Sequence, residues 1–194
     1  PEHGTGQKEF IFTQEHEDLR ASMEDWVKKE LHPHRNEWED TKWPDSAIQR
    51  AGELGYLGLC FPEEYGGQGG DYYYSLVRAE ALSYAGSGGL GMGFAVQTDM
   101  VLPPVHLLGT EEQKQKYLVP GIQGTKIGAL GITEPGAGSD VAGIRTTAIL
   151  DGDEYVINGS KTFITNAARA DFMVLVVKTD PSKAHDGITL LLID

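Results

Sequence analysis

Gly124-Thr125-Lys126-Ile127-Gly128-Ala129-Leu130-Gly131-Ile132-Thr133-Glu134-Pro135-Gly136-Ala137-Gly138-Ser139-Asp140 is the stretch at which the chain changes character. Before it, apolar residues recur at helical spacing; after it, they come in short runs broken by turn residues. Residues 127–132 read as a strand, and residues 133–140, rich in Gly and Pro, as the loop that leaves it. Upstream, Leu19, Met23, Trp26, Val27 and Leu31 follow a possible cap at Thr13. Pro44 and Asp45 open a second helix that runs to Leu54 and stops at Gly55. Asp71 can cap a third, with Leu76, Val77 and Leu82 on its inner face. Residues 89–108 form an apolar helix that Pro103-Pro104 should kink or divide. Thr110-Glu111-Glu112-Gln113 is a capping box for a fifth helix. Downstream, Asp151-Gly152 and Asn158-Gly159 are hairpin signals, since these residues tolerate positive φ. Residues 154–157, 160–165, 172–178 and 188–193 are further strand candidates. The pattern predicts an α+β chain of five helices, then about six strands. It has an arm over 1–12, a helical domain over 13–124, and an antiparallel β domain over 125–194.

The 194 residues carry 29 acidic and 16 basic side chains, a net charge of −13. No basic face is available to neutralise phosphates, so a nucleic-acid partner is excluded, and an anionic membrane surface is disfavoured. One cysteine, Cys60, rules out a disulfide framework and suits a reducing compartment. Residues 1–8 lack the layout of a secretory signal, and no apolar run approaches the ~20 residues of a spanning helix. A soluble, intracellular protein is expected. Asn158-Gly159-Ser160 fits a glycosylation sequon but reads first as a turn. The 25 glycines are the compositional oddity, about 13% against a usual ~7%.

Several motifs fail on context. Residues 86–91 match a spaced-glycine dinucleotide pattern but follow a helix, where the pattern requires a strand. A close helix–helix turn fits better. Gly159-Ser160-Lys161-Thr162 lacks the adjacent Gly-Lys and the earlier Gly of a phosphate loop. No nucleophile elbow surrounds Ser139. His32 and His34 flank a proline at a solvated helix end, without partners at metal-ligand spacing. Cys60 reads as a small packed hydrophobe, and the acidic runs 15–18 and 37–40 as solvated faces.

Two segments carry chemistry. In residues 133–140, small side chains let backbone N–H groups approach an anion, while Thr133 and Ser139 add hydroxyls. A plain surface loop is the competing reading. Residues 160–166 alternate as on a strand, which would put Phe163 and Thr165 on one face, a ring to stack and a hydroxyl to hydrogen-bond a flat heteroaromatic ligand. A half-buried strand with no ligand competes.

Thr133-Glu-Pro-Gly-Ala-Gly-Ser-Asp140 followed by Asn158-Gly-Ser-Lys-Thr-Phe-Ile-Thr-Asn166 resembles the acyl-CoA dehydrogenases. Phe61-Pro-Glu-Glu-Tyr-Gly-Gly-Gln-Gly69 and Leu107-Leu-Gly-Thr-Glu-Glu-Gln-Lys-Gln-Lys-Tyr-Leu118 agree, and the likeness covers the chain from about Thr13 onward. The resemblance implies FAD as cofactor and an acyl-CoA substrate dehydrogenated between Cα and Cβ, with the hydride passing to flavin N5. It also implies an electron-transferring flavoprotein as acceptor and a homo-oligomer, tetramer or dimer. The location implied is bacterial cytoplasm or mitochondrial matrix. Leu130, Ile132, Thr133, Gly138 and Ser139 match the family's first flavin segment, with Thr133 on the flavin ring and Ser139 at the pyrophosphate and near CoA. Phe163, Ile164 and Thr165 match the second, with Thr165 near N5. Many members carry Trp where this chain has Phe163, so ring packing is kept and an indole N–H is lost. Glu134 falls at a loop position in the family and is declined as the base. Met92, Val96 and Met100 correspond to the acyl-tunnel wall, with ordinary core packing as the alternative.

The family adds a C-terminal helical domain that carries the base, the adenine half of the FAD site and the oligomer contacts. The 194 residues end before it, so they are expected to form an N-terminal and middle-domain fragment, inactive alone and weak in holding FAD. Two other readings stay open: an acyl-CoA oxidase or nitroalkane-oxidase-like flavoenzyme, and a non-catalytic CoA-binding or scaffold protein.

Overall fold

The computed structural model describes residues 11–40 and 44–194. Residues 1–10 of the expected arm lie outside the described residues. Phe12 does not: its ring packs edge-on against His16 and Tyr73. The described residues pack as two compact units, one up to residue 95 together with 122–124, the other 96–121 with 125–194.

The first unit is helical: α1 Gln14–Trp26, α2 Arg35–Asp40, α3 Asp45–Glu53, α4 Tyr72–Ser83 and α5 Gly88–Ala95. Thr13 caps α1 in a box closed by His16, whose Nδ1 accepts from the Thr13 amide at 2.9 Å. The buried His16 ring also reaches Asp71 through Nε2 at 3.0 Å, and Asp71 caps α4 by accepting from the Tyr73 amide. One imidazole thus ties two helix starts together, satisfying donors that would otherwise be orphaned. Met23, Trp26, Val27 and Leu31 are buried as their spacing predicts, the last two bounding a π turn, Val27–Leu31. Helix α3 ends at Gly55, whose φ of 78° suits glycine. On α4 the expectation for Leu76 is corrected. Val77, Arg78, Ala81 and Leu82 form the buried stripe, and Leu76, one position rotated away from it, is 45% exposed. Gly86, at φ 73°, turns the chain into α5, whose first turn holds Gly88, Gly89 and Gly91, so the spaced glycines serve a helix–helix junction.

The second unit pairs a helical segment with a sheet. Its helices are α6 Leu102–Leu108, α7 Glu111–Gln113 and α8 Val119–Ile122, the last running into the first unit. A π turn, Val96–Val101, precedes α6, and the two prolines fall in the first turn of α6, where their missing N–H groups cost least. The Thr110 capping box is formed in both directions, at 3.2 and 2.9 Å.

The sheet has five strands: β1 Gly128–Gly131, β2 Thr147–Asp151, β3 Glu154–Asn158, β4 Phe172–Lys178 and β5 Ile188–Ile193. Two expectations change here. The sheet is mixed: β2–β3 and β4–β5 are antiparallel, but β1 runs parallel to β4, and β2 meets β4 in parallel at Thr147 and Lys178. Strand direction is set by which strands meet across the chain, which local alternation does not encode. The segment 160–165 forms no strand. Asp151 pairs with Glu154 around a two-residue turn with Gly152 at φ 64°, but no hairpin forms at Asn158-Gly159.

Strand β4 is the centre. Val176 packs with Ala137 and Ile144 on one face, and Leu175 and Val177 with Ala148 on the other, so β4 reads as an unbroken apolar run. Within this unit Gln97 is fully buried and saturated. Its Nε2 donates to the carbonyls of Gly121 and Lys126, and its Oε1 accepts from the Gly128 amide at 2.8 Å, fixing the start of β1. Among the described residues, no helix is long and apolar enough to cross a membrane.

Candidate functional site

Strand β1 delivers the chain at Gly131 into Ile132 and Thr133. A tight turn then closes on itself: the Glu134 amide donates to Ala137 O at 2.9 Å, and the Ala137 amide to Glu134 O at 3.1 Å. Pro135 and Gly136 at its tip make this reversal easy. Beyond it, Gly138, Ser139 and Asp140 are exposed, and none of their amides donates to a backbone carbonyl. A Cβ added at Gly136 or Gly138 would meet nothing. Packing does not demand glycine at either place, and the small residues leave the neighbouring backbone N–H groups open to approach.

The Glu134 side chain turns inward and is buried. Its carboxylate accepts from the Arg145 amide at 2.6 Å, the Thr146 amide at 2.9 Å and Lys161 Nζ at 2.8 Å. Burial alone would raise its pKa, but Lys161, Thr146 and the Arg145 amide outweigh burial and hold it at about 2. A carboxylate so held is ionised and committed to structure; it makes a poor proton acceptor at neutral pH.

The second segment is an irregular loop. Phe163 sits at φ 57° and Asn166 at φ 70°, breaking the extended geometry that would put Phe163 and Thr165 on one strand face. Four bonds place the loop against the first segment and β1. Lys161 Nζ donates to Ile132 O at 2.9 Å besides pairing with Glu134, the Thr162 amide donates to Thr133 O at 2.9 Å, and Asn166 Nδ2 donates to Gly128 O at 3.2 Å. Phe163 is left 92% exposed.

The structure thus bonds Ile132 and Thr133 to the loop that carries Phe163, Ile164 and Thr165, packs Leu130 against Ala137, Ile144 and Val176, and keeps Gly138 and Ser139 exposed beyond the first turn. Among the described residues, no hydrogen bond occupies the hydroxyls of Thr133, Ser139 or Thr165. Free hydroxyls, open amides and a presented aromatic ring form a donor set suited to a flat heteroaromatic carrying an anionic group. The helical trio divides: Val96 is 5% exposed and packs as core, whereas Met92 and Met100 are 48% and 39% exposed. Sequence reading missed Lys161 and Asn166 as tethers. An opposite-charge pair set in two otherwise small and apolar segments, Glu134 and Lys161, was the available signal. Among the described residues no group of His, Cys, Asp and Glu could hold a metal ion.

Comparison with known proteins agrees on the family. Residues 13–125 match the N-terminal domain of acyl-CoA dehydrogenases, and residues 129–194 their middle domain. A probable acyl-CoA dehydrogenase of Bacillus subtilis, YngJ, is 41% identical over 185 residues, which is 95% of this chain and 48% of that protein. The crystal structure of an acyl-CoA dehydrogenase from Geobacillus kaustophilus superposes with a TM-score of 0.89 at 42% identity, covering 95% of this chain and 49% of that one. An acyl-CoA dehydrogenase from Bacillus anthracis complexed with FAD gives 0.87 at 37% identity, over 95% of this chain and 31% of that one. The chain spans about half the length of the curated relatives it matches. With both domain models covering most of its length, the chain belongs to the acyl-CoA dehydrogenase family.

Proposed function

We propose that these residues form the flavin-facing and part of the acyl-CoA-facing wall of an FAD-dependent acyl-CoA dehydrogenase. One observation carries this reading: two sequence-distant loops are bonded into one platform whose outward groups are free donors, open amides and a single exposed ring. Bound FAD supplies the hydride acceptor for α,β-dehydrogenation of an acyl-CoA thioester. Thr133 and Thr165 offer hydroxyls to the flavin ring, Phe163 packs against it, and Ser139 with the Gly138 amide meets the pyrophosphate and the nearby CoA. Met100 offers exposed apolar surface to the acyl chain, while Val96 packs as core. The α-proton base is not among these groups, because Glu134 is locked to Lys161. On this reading the 194 residues alone turn over no acyl-CoA. An electron-transferring flavoprotein as acceptor and a homo-oligomeric enzyme complete the proposal.

A flavin-fluorescence titration of the 194-residue chain tests it. Saturable quenching that weakens roughly tenfold in Thr133→Val/Thr165→Val supports the platform, and quenching unchanged in that variant contradicts it. Acyl-CoA-dependent dye reduction by the chain alone would overturn the assignment of the base elsewhere.

A further inference from the structure

Phe163 combines two features that folding disfavours. A bulky residue at φ 57° is strained, and a phenyl ring 92% exposed gains nothing from burial. Such a conformation persists only where its surroundings over-determine it. Here they do so from both sides. Ahead of Phe163, the buried Lys161–Glu134 pair has side chains 8% and 7% exposed, and Lys161 also donates to Ile132 O. Behind it, Asn166 adopts φ 70° and bonds Gly128 O on β1. Between these anchors, among the described residues, only the Thr162 amide bonds the first loop through the backbone.

We propose that Glu134 and Lys161 are positioning residues: their buried pair clamps the 160–166 loop onto the 132–134 segment, and this clamp holds Phe163 in its strained, outward pose to receive the flavin ring. The proposal rests on the flavin reading above for what Phe163 receives, but the clamp itself exists without ligand. A buried pair costs heavily in desolvation and often adds no net stability over an apolar substitute, so its place between two candidate flavin loops points to geometry as its use.

The test takes the 194-residue chain and two variants, Lys161→Met and Glu134→Gln. The second keeps side-chain size and carries the test if the first fails to fold. Without ligand, hydrogen exchange at the Thr162 amide is expected to quicken at least tenfold in the variants while the β4 amides of Val174 and Val176 keep their rates. Unchanged exchange at Thr162 would overturn the clamp. At saturating FAD and well below the melting transition, the visible circular dichroism of bound flavin is expected to fall to half or less, a change that lost stability alone would not produce. An unchanged band would overturn the positioning role. If the parent chain binds no flavin, the flavin reading fails, and the ligand-free exchange result still decides the clamp.

Discussion

The loops 133–140 and 160–166 stand side by side and are built in opposite ways. The first closes on itself: its reversal is a pair of backbone bonds between Glu134 and Ala137, and its glycines Gly136 and Gly138 face open space. The second borrows its shape. Lys161, Thr162 and Asn166 each bond to a residue of the first loop or of β1, and Phe163 is carried between them in a strained conformation. A self-closed loop tolerates change at its tip. A tethered loop fails at its tethers.

The sharpest way to break that contrast is to remove a tether. Lys161→Met leaves the Glu134 carboxylate buried beside two amides and no cation, which should cost about 3–5 kcal/mol in urea unfolding. Gly138→Ala, at the open tip of the first loop, should stay within about 0.5 kcal/mol. Equal losses in the two variants would erase the distinction.

Acid should loosen the same tether by a few kcal/mol. The folded-state pKa of Glu134, about 2, lies below its ordinary value of 4.5. The stability it contributes is therefore present above about 4.5 and is lost as pH falls toward about 2. Thermal melts across that window should fall more steeply for the parent chain than for Glu134→Gln, and parallel curves would count against the pair.

The entry to the tethered loop is also tight. At Gly159, φ is 155° and an added Cβ would lie 2.3 Å from Thr146 Oγ1. Gly159→Ala should cost about 1–3 kcal/mol by chemical denaturation. One further effect has the opposite sign. Phe163→Asn replaces an exposed ring with a residue tolerant of left-handed backbone and should gain about 0.5–1 kcal/mol while weakening flavin binding. A loss of stability would mean that the ring is packed.

This difference in construction also explains what the sequence made legible. Pro135-Gly136 and the apolar run before them announce the first loop locally, as Thr110 with Gln113 announces its helix and Gly152 its hairpin. Segment 160–166 presents alternation instead, and alternation predicts a strand. What overrides it is positive φ at Phe163 and Asn166, imposed by partners some thirty residues away in sequence. The parallel pairing of β1 with β4 was hidden for the same reason, since Gly128 pairs with Phe172 across the whole intervening β2–β3 hairpin. Leu76 shows the finer limit, a helical face misjudged by a single position. Of the residues named from the family resemblance, Ile132 and Thr133 bond the second loop through their carbonyls, whereas Lys161 and Asn166 hold the loops together through partners that lie far away in sequence.

The central claim, that both loops form one flavin platform, is tested most directly by a ¹H–¹⁵N NMR titration of the 194-residue chain with FAD. The account predicts shift changes concentrated in two windows, residues 130–139 and 163–165, moving with a single binding constant. Changes confined to one window, or centred elsewhere while both stay still, would contradict it.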